Sequence, residues 1–237
     1  MIKAFNMFLL ILSGALILTG CMYPEEKLSQ NQTAYKDQLQ SVQSAVDQYR
    51  EAKGGLLPIK TKGQTTPIYQ KYPIDFKKIA PEYMAEPPGN AFESGGVFQY
   101  VIVDAETDPK VKIFDLRIAE TIRDINLRVK AHGFPPYKEQ IAENVFTMDF
   151  KKLGFKEEPK ALSPYSGQSL PYVVTGDAEV YVDYRVDLYQ ALEKKENKPE
   201  PGKDIRNLLV EDSDFVPAYS LPYTIDPGTN DPIFLVK

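Results

Sequence analysis

The chain has 237 residues, of which 43% are hydrophobic and 26% charged, so it can bury a substantial core without disulfides. Its formal net charge of −5, with no dense basic segment, argues against a nucleic-acid-binding protein. Cys21 is the one cysteine, which excludes an intramolecular disulfide and a multi-thiolate zinc site. His132 is the one histidine, so a Ser-His-Asp or Cys-His arrangement has a single candidate base.

Residues 1–21 have the pattern of the leader of an exported lipoprotein. Lys3 supplies a positive charge, and the mostly apolar run that follows is shorter than the about 20 residues of a membrane-spanning helix. Leu18, Thr19, Gly20 and Cys21 then resemble a bacterial lipobox, the recognition site of lipoprotein processing. In lipoproteins the cysteine thiol receives a diacylglycerol, and the signal peptidase cuts just before that cysteine.

The lipobox resemblance implies a signal peptide over residues 1–20 and a mature chain that begins at Cys21. Cys21 then carries covalent diacylglycerol, with a further N-acyl chain as an open alternative, and no other cofactor is expected. The polar stretch 21–32 is predicted to be a flexible tether. The protein is therefore expected on the extracytoplasmic face of the cell membrane. The alternatives are an ordinary secretory signal and an uncleaved anchor helix.

The first predicted module covers residues 33–114. A helix is predicted over residues 33–52 from an apolar stripe that steps by three and four, and Gly54 and Gly55 end it. A short helical turn follows at residues 74–79, and the Asp75 side chain is expected to cap it. Two strands joined by a turn near Asp108-Pro109 complete the module. The stripe consists of Tyr35, Leu39, Val42, Val46 and Tyr49.

The same order of elements is predicted twice more, over residues 115–184 and, in degenerate form, over residues 185–237. The second module has a helix that ends at Gly133 and a hairpin about Gly176. The sequence Asp-Phe-Lys-Lys that begins at Asp75 in the first module also begins at Asp149 in the second. The sequence therefore predicts an α+β protein of two to three tandem modules, each a helix followed by a short capped turn and a small antiparallel hairpin or sheet. Chance recurrence within one α+β domain is the alternative.

Two family resemblances accompany these patterns. The segments 55–100 and 133–172 loosely resemble the globular domains of type II secretion pseudopilins and type IV pilins, which implies a helix followed by a small antiparallel sheet. The whole chain resembles a family of uncharacterised Bacillus-type membrane lipoproteins, through the stretches 54–62, 72–76 and 85–96. That resemblance implies a monoderm bacterium and a cell-surface location, and it implies no activity.

Clusters of acidic residues are the candidates for chemistry. Asp104, Glu106 and Asp108 alternate in the first hairpin turn, and Pro109 stands near the position where an EF-hand loop needs glycine. Acidic side chains are also common in turns for conformational reasons, so no metal site is predicted. The remaining calcium candidates lie at the last hairpin turn: Asp226, Asn230 and Asp231.

Two further residue types have a structural and a functional interpretation. His132 lies beside Gly133 at a predicted helix end, where a ring nitrogen can bond an otherwise unpaired backbone carbonyl. Six tyrosines lie near the later hairpins, where they are expected to belong to the core or its rim, with an exposed binding face as the alternative. These tyrosines are Tyr165, Tyr172, Tyr181, Tyr184, Tyr219 and Tyr223.

The sequence therefore predicts a lipid-anchored protein of the cell envelope with a non-catalytic interaction or scaffolding role and no catalytic residues. Its expected partners are the membrane, through the lipid, and an envelope protein or wall component, with no nucleic acid. A carboxylate-dependent hydrolase of wall polymers is the first alternative. A small-ligand-binding lipoprotein is the second alternative.

Overall fold

The computed structural model describes residues 25–60 and 62–235, and for residues 25–34 it describes the backbone alone. The predicted signal peptide and the lipobox, Cys21 included, lie outside the described residues. The chain divides into two compact units, Met1–Gln38 and Leu39–Lys237. In the first unit the described residues, 25–38, are helical backbone. The second unit is of mixed α+β class, as the sequence predicted.

Helix α1 spans Glu25–Ala52 and ends at Gly54 and Gly55, whose φ angles are 65° and 92°. It begins earlier than the predicted residue 33, so residues 25–32 of the predicted tether have a helical backbone. Its predicted apolar stripe is buried at three positions in the second unit, Leu39, Val42 and Val46. This burial explains why the segment is helical, since residues three and four apart share one helix face.

Helix α1 is tied to the first hairpin by one glutamine. Gln43 Nε2 donates to the Pro109 carbonyl at 3.1 Å, and Gln43 Oε1 accepts from the Val111 backbone N–H at 2.7 Å. The side-chain amide thus satisfies two backbone groups at the edge of the hairpin. The segment between helix α1 and the first hairpin contains two 3₁₀ turns, Ile68–Gln70 and Phe92–Ser94. A short helix, α2, lies between these turns over Phe76–Ile79.

The first hairpin consists of strand β1, Phe98–Val103, and strand β2, Lys110–Asp115, paired antiparallel. Residues before the hairpin extend it, because the Ile74 N–H donates to the Tyr100 carbonyl at 3.0 Å. Residues from the end of the chain extend its other edge, because the Val216 N–H donates to the Ile113 carbonyl at 3.0 Å. The predicted hairpin is therefore confirmed, and two distant segments widen it.

Helix α3 spans Leu116–His132 and presents a buried stripe of Ile118, Ile122, Ile125 and Val129. It ends as predicted at Gly133, which has φ 99° and donates its N–H to the Val129 carbonyl at 2.9 Å. A left-handed residue at this position is usually glycine, because it has no Cβ.

A five-stranded antiparallel sheet follows α3. Its central strand β6 pairs with three other strands, β4, β5 and β7. Strand β3 is at an edge and pairs with β4. The sequence predicted β6 and β7 and missed β3, β4 and β5. The strand bounds are Tyr137–Ala142 for β3, Val145–Met148 for β4, Lys160–Leu162 for β5, Ser169–Thr175 for β6 and Val180–Val182 for β7.

The last part of the chain contains helix α4 over Arg185–Glu193, a 3₁₀ turn over Arg206–Leu209, and a hairpin of strands β8, Tyr223–Ile225, and β9, Pro232–Phe234. Its apolar residues are divided between two clusters of the core. Ile205 and Tyr223 pack with α3 and the five-stranded sheet, whereas Val216 packs with β1 and β2. The segment therefore contributes to the packing of both earlier modules.

The modules share a buried tyrosine on the first strand of each predicted hairpin. Tyr100, Tyr172 and Tyr223 are 0%, 2% and 0% exposed. The Tyr223 carbonyl accepts from the Ile205 N–H at 2.9 Å, as the Tyr100 carbonyl accepts from Ile74. The two contacts are similar but not equivalent, because Ile74 precedes Asp75 whereas Ile205 follows Asp204.

The predicted side-chain cap at Asp75 is wrong. Asp75 occupies the N-cap position of α2, but its side chain makes no capping hydrogen bond. The turn is closed instead by backbone, because the Lys78 N–H donates to the Asp75 carbonyl at 3.0 Å. The corresponding Asp149 and Asp204 do accept from the backbone N–H two residues later, at 3.2 Å and 3.1 Å.

Candidate functional site

A groove of about 600 Å³ lies where the first hairpin meets the last part of the chain. We call it the tyrosine groove and define it by residues 68–72, 102–112 and 204–211, from which its lining comes. The 3₁₀ turn at residues 68–70, the end of the β1–β2 hairpin and the 3₁₀ turn at residues 206–209 place these segments side by side. A cavity of this volume falls in the range of small-ligand and peptide sites.

Two tyrosines form the aromatic part of the groove, and each carries a cation over its ring. The Arg206 guanidinium lies 5.3 Å from the centre of the Tyr69 ring, and Lys71 Nζ lies 5.3 Å from the centre of the Tyr72 ring. Burial raises the pKa of Tyr69 to about 12, although Arg206 acts in the opposite direction. Tyr69 is therefore a neutral hydroxyl at physiological pH and can donate a hydrogen bond.

Lys112 holds one wall of the tyrosine groove in place. Its ammonium group donates to the Val210 carbonyl at 3.1 Å and to the Ser213 carbonyl, which joins β2 to the segment after the 3₁₀ turn. Burial lowers the pKa of Lys112, and the nearby Asp214 and Asp104 oppose that effect. The lysine thus has a structural role.

The acidic residues of the first hairpin turn lie at the same groove. Asp104 and Glu106 line it, and neither side chain has a hydrogen bond or an ion pair with another described residue. Asp108 instead pairs with Lys110 at 3.0 Å. Asp104 has φ 50°, so the turn reverses through a left-handed residue, a conformation that aspartate tolerates better than most residues. The groove therefore presents unpaired carboxylates beside aromatic rings and lysines.

This arrangement is suited to recognition of a ligand. Rings, apolar side chains and charges of both signs can hold a peptide-like group, whose backbone is polar and whose side chains vary. Among residues 25–60 and 62–235, no group of three or more His, Cys, Asp or Glu side chains lies close enough together to hold a metal ion.

A second arrangement, which the sequence did not predict, surrounds Asp187 on α4. This side chain is 2% exposed, and the Ser163 hydroxyl donates to both of its carboxylate oxygens at 2.8 Å. The Ser166 hydroxyl donates to Oδ1 at 2.5 Å. Burial raises the pKa of Asp187, whereas the bonds from the two serines act in the opposite direction. A carboxyl with a raised pKa is a feature of general acids and also of structural networks.

The Asp187 carboxyl lies in the wall of a groove of about 390 Å³, which we call the Asp187 groove. Its lining comes from residues 164–165, 187–195 and 208–213. Tyr165 belongs to this wall, and its hydroxyl is a buried oxygen without a hydrogen-bond partner. Burial raises the pKa of Tyr165 well above its usual value, so this hydroxyl stays protonated.

The calcium candidates of the last hairpin turn are occupied in shaping that turn. Asp226 Oδ1 accepts from the backbone N–H groups of Gly228 and Thr229 at 2.8 and 3.0 Å, and these bonds lower the pKa of Asp226. Asn230 is left-handed with φ 62°, and the Asp231 carbonyl accepts from the Asp226 N–H at 2.9 Å. Their positions follow the conformational preferences of turns.

The remaining predicted candidates have structural contacts. His132 Nδ1 lies 2.9 Å from the Phe134 carbonyl, at the helix end where the sequence placed it. Among the six tyrosines, Tyr172, Tyr184 and Tyr223 are fully buried, and the other three are partly buried. These tyrosines therefore belong to the core and its rim. The aromatic part of the tyrosine groove is formed instead by Tyr69 and Tyr72, which the sequence did not indicate as binding residues.

No described helix is both long enough and apolar enough to cross a membrane.

The chain is similar to one known family over its first module. The sequence model described as the YphF family N-terminal domain matches residues 35–115, from within α1 to the end of β2. The match covers 81 of the 237 residues and includes two of the three segments of the tyrosine groove, residues 68–72 and 102–112. No curated protein matches the chain. No solved structure matches it either.

Proposed function

We propose that this protein is a lipid-anchored, non-catalytic binding protein on the extracytoplasmic face of a bacterial cell membrane. The leader pattern that ends in Leu18-Thr19-Gly20-Cys21 supports the anchor. The resemblance to Bacillus-type membrane lipoproteins, inferred from the stretches 54–62, 72–76 and 85–96, supports the same location. In this role the lipid on Cys21 holds the protein at the membrane, and the domain after α1 recruits a protein of the envelope.

The observation that carries the binding role is the tyrosine groove. It joins two aromatic rings, exposed Ile68 and the unpaired carboxylates of Asp104 and Glu106 in one concave surface. Aromatic residues at the centre and charges at the rim are the usual composition of a protein-binding surface. A protein segment with basic residues beside apolar ones would complement this groove in both charge and shape.

Site-specific photocrosslinking in living cells tests this role. Benzoylphenylalanine in place of Ile68, which is 60% exposed, puts the reactive group at the tyrosine groove. The same amino acid in place of Leu127, which is 61% exposed on α3, is the matched control. We expect a defined crosslinked protein from position 68 and not from position 127, identified by mass spectrometry.

A double substitution tests whether the two carboxylates of the tyrosine groove contribute to binding. Asp104→Asn together with Glu106→Gln keeps the shape of both side chains and removes their charge. We expect this double variant to reduce the crosslink from position 68. An equal yield from positions 68 and 127, or a yield that does not respond to the double variant, would contradict binding at the tyrosine groove.

The anchor has its own test. In Cys21→Ser cells, incorporation of labelled palmitate into the protein should be lost, and the protein should leave the membrane fraction, because the single thiol is gone. Ser29→Ala, which changes a residue after the lipobox, should keep the label. Palmitate incorporation that persists in Cys21→Ser would refute the lipid anchor.

The alternative role as a wall-polymer hydrolase is favoured by one observation, the buried Asp187 side chain in the lining of the Asp187 groove, where burial raises the pKa of the carboxyl. Glycoside hydrolysis needs a second carboxylate across the scissile bond, and Asp212 is the other acid in the Asp187 groove. Release of soluble fragments from purified cell wall would support this alternative if Asp187→Asn abolishes the release. No release by the wild-type protein would count against it.

A further inference from the structure

The Asp187 groove lies apart from the lining of the tyrosine groove and has its own set of polar groups. Gln190, Lys194 and Asp212 line it with one amide, one ammonium and one carboxylate. None of these side chains makes a hydrogen bond or an ion pair with another described residue. Lys195, by contrast, is paired with Glu211 at 2.8 Å.

A second observation comes from the wall of this groove. The Tyr165 hydroxyl is buried and unpartnered, next to an Asp187 carboxylate that is held by two serines. A buried hydroxyl without a partner is costly, so such groups are uncommon except where a ligand or water completes the bonding. The groove therefore offers accessible polar groups of both kinds, and its wall contains a buried hydroxyl without a partner.

The charge of the groove limits what it can hold. Lys194 and Asp212 contribute opposite charges, and Lys195 is neutralised by Glu211. Lys194 disfavours a cationic ligand and Asp212 disfavours an anionic one, so the unpaired charges of the groove cancel. Neither sign of net charge is favoured. The rest of the lining consists of Ser213 and four apolar aliphatic residues, Pro164, Ala191, Leu208 and Leu209.

We propose that the Asp187 groove binds an uncharged sugar unit of a polysaccharide. A sugar hydroxyl both donates and accepts, so neighbouring hydroxyls can pair at once with an amide, an ammonium and a carboxylate. The C–H face of the ring packs on the aliphatic lining. About 390 Å³ accommodates one or two sugar rings. This site is separate from the tyrosine groove and adds a glycan to the partners of the protein.

Titration of the full-length, detergent-solubilised protein with chitotriose, an uncharged trimer of N-acetylglucosamine, tests the proposal by calorimetry. We expect saturable binding by the wild-type protein. Gln190→Ala and Asp212→Asn should each weaken it about tenfold, the usual effect of losing one hydrogen bond in a binding site. Gln168→Ala, an exposed glutamine in the β5–β6 loop outside the groove, is the matched control and should bind like wild type.

Three results decide between the outcomes. No saturable binding by the wild-type protein, or the same loss in Gln168→Ala as in Gln190→Ala, overturns the sugar site. A crosslink from position 68 without chitotriose binding would overturn the sugar site and leave the tyrosine groove as the binding surface. Cleavage of chitotriose to shorter sugars would support the sugar site and contradict a non-catalytic role.

Discussion

Three buried tyrosine hydroxyls near the end of the chain differ in their partners. Tyr223 Oη accepts from the Tyr184 N–H at 2.9 Å and donates to the Val182 carbonyl at 3.2 Å. Tyr184 Oη donates to the Ala218 carbonyl at 3.3 Å. Burial raises the pKa of both tyrosines far above the usual value. The Tyr165 hydroxyl has no partner, so removing it deprives no other group of a bond.

Replacement of the Tyr223 hydroxyl and of the Tyr165 hydroxyl by hydrogen should therefore have different effects on stability. Tyr223→Phe should lower the free energy of unfolding by about 1–3 kcal/mol, because it leaves the Tyr184 N–H and the Val182 carbonyl unpaired in the core. Tyr165→Phe should leave it unchanged or raise it. Urea unfolding followed by circular dichroism measures both. Equal losses in the two variants would contradict this assignment of partners.

The buried Asp187 carboxyl makes stability depend on pH. Its folded-state pKa is raised above the unfolded value because burial disfavours the charged form. The folded protein therefore holds this proton more tightly than the unfolded chain. The resulting stabilisation is fully present below the unfolded pKa and is lost as the pH rises through the folded pKa.

Asp187→Asn should remove this contribution, since the amide does not titrate. The free energy of unfolding of the wild type minus that of Asp187→Asn should fall as the pH rises from below the usual carboxyl pKa of 3.8. Urea unfolding of both proteins from acidic to neutral pH gives that difference directly. A difference that is constant, or that increases with pH, would show that burial does not raise this pKa.

At the scale of elements, the aspartates that precede helices α2 and α3 make different contacts. Asp115 caps α3, because its carboxylate accepts from the Arg117 backbone N–H at 2.8 Å and also pairs with the Arg117 guanidinium. Asp75 occupies the same position before α2 without such a bond. Since a cap stabilises a helix only through the hydrogen bond it makes, the two aspartates should differ in their contribution to stability.

Asp115→Ala should lower the free energy of unfolding by about 1 kcal/mol, the usual cost of losing an N-cap. Asp75→Ala should cost clearly less, and it serves as the matched control. Thermal or urea unfolding of the two variants compares them. If Asp75→Ala proves as costly as Asp115→Ala, the Asp75 side chain caps its helix in solution and the originally predicted cap is restored.

At the scale of the whole molecule, the last part of the chain joins the packing of the two earlier modules in the unit Leu39–Lys237. Val216 and Ala218 are buried against β1 and β2, whereas Ile205, Leu209 and Tyr223 are buried with α3 and the five-stranded sheet. Modules that share one segment cannot unfold independently without exposing apolar surface of their neighbour.

This unit should therefore unfold in one transition. Ile205→Ala should destabilise it by about 2–5 kcal/mol and Val216→Ala by about 2 kcal/mol, as expected for truncation of buried side chains. Both variants should shift the same transition in differential scanning calorimetry. Two transitions that respond separately, one to Ile205→Ala and the other to Val216→Ala, would show that the modules are energetically independent.

The sequence alone determined the elements whose patterns are local. Helix α3, its end at Gly133, the hairpin turn at Asp226 and the α+β class all follow from spacing and turn chemistry, which depend on neighbouring residues. The leader pattern is likewise a local signal, and the anchor and the envelope location that it predicts await the Cys21→Ser experiment.

Tertiary structure alone decided β3, β4, β5 and both grooves. Strand β3 is mostly exposed and its register with β4 is irregular, so its sequence lacks the alternation that marks a strand. Tyr69 and Asp104 come together with Arg206 only when distant segments pack. The burial of Asp187 depends likewise on Ser163 and Ser166. Long-range packing creates both sites, and sequence spacing does not record it.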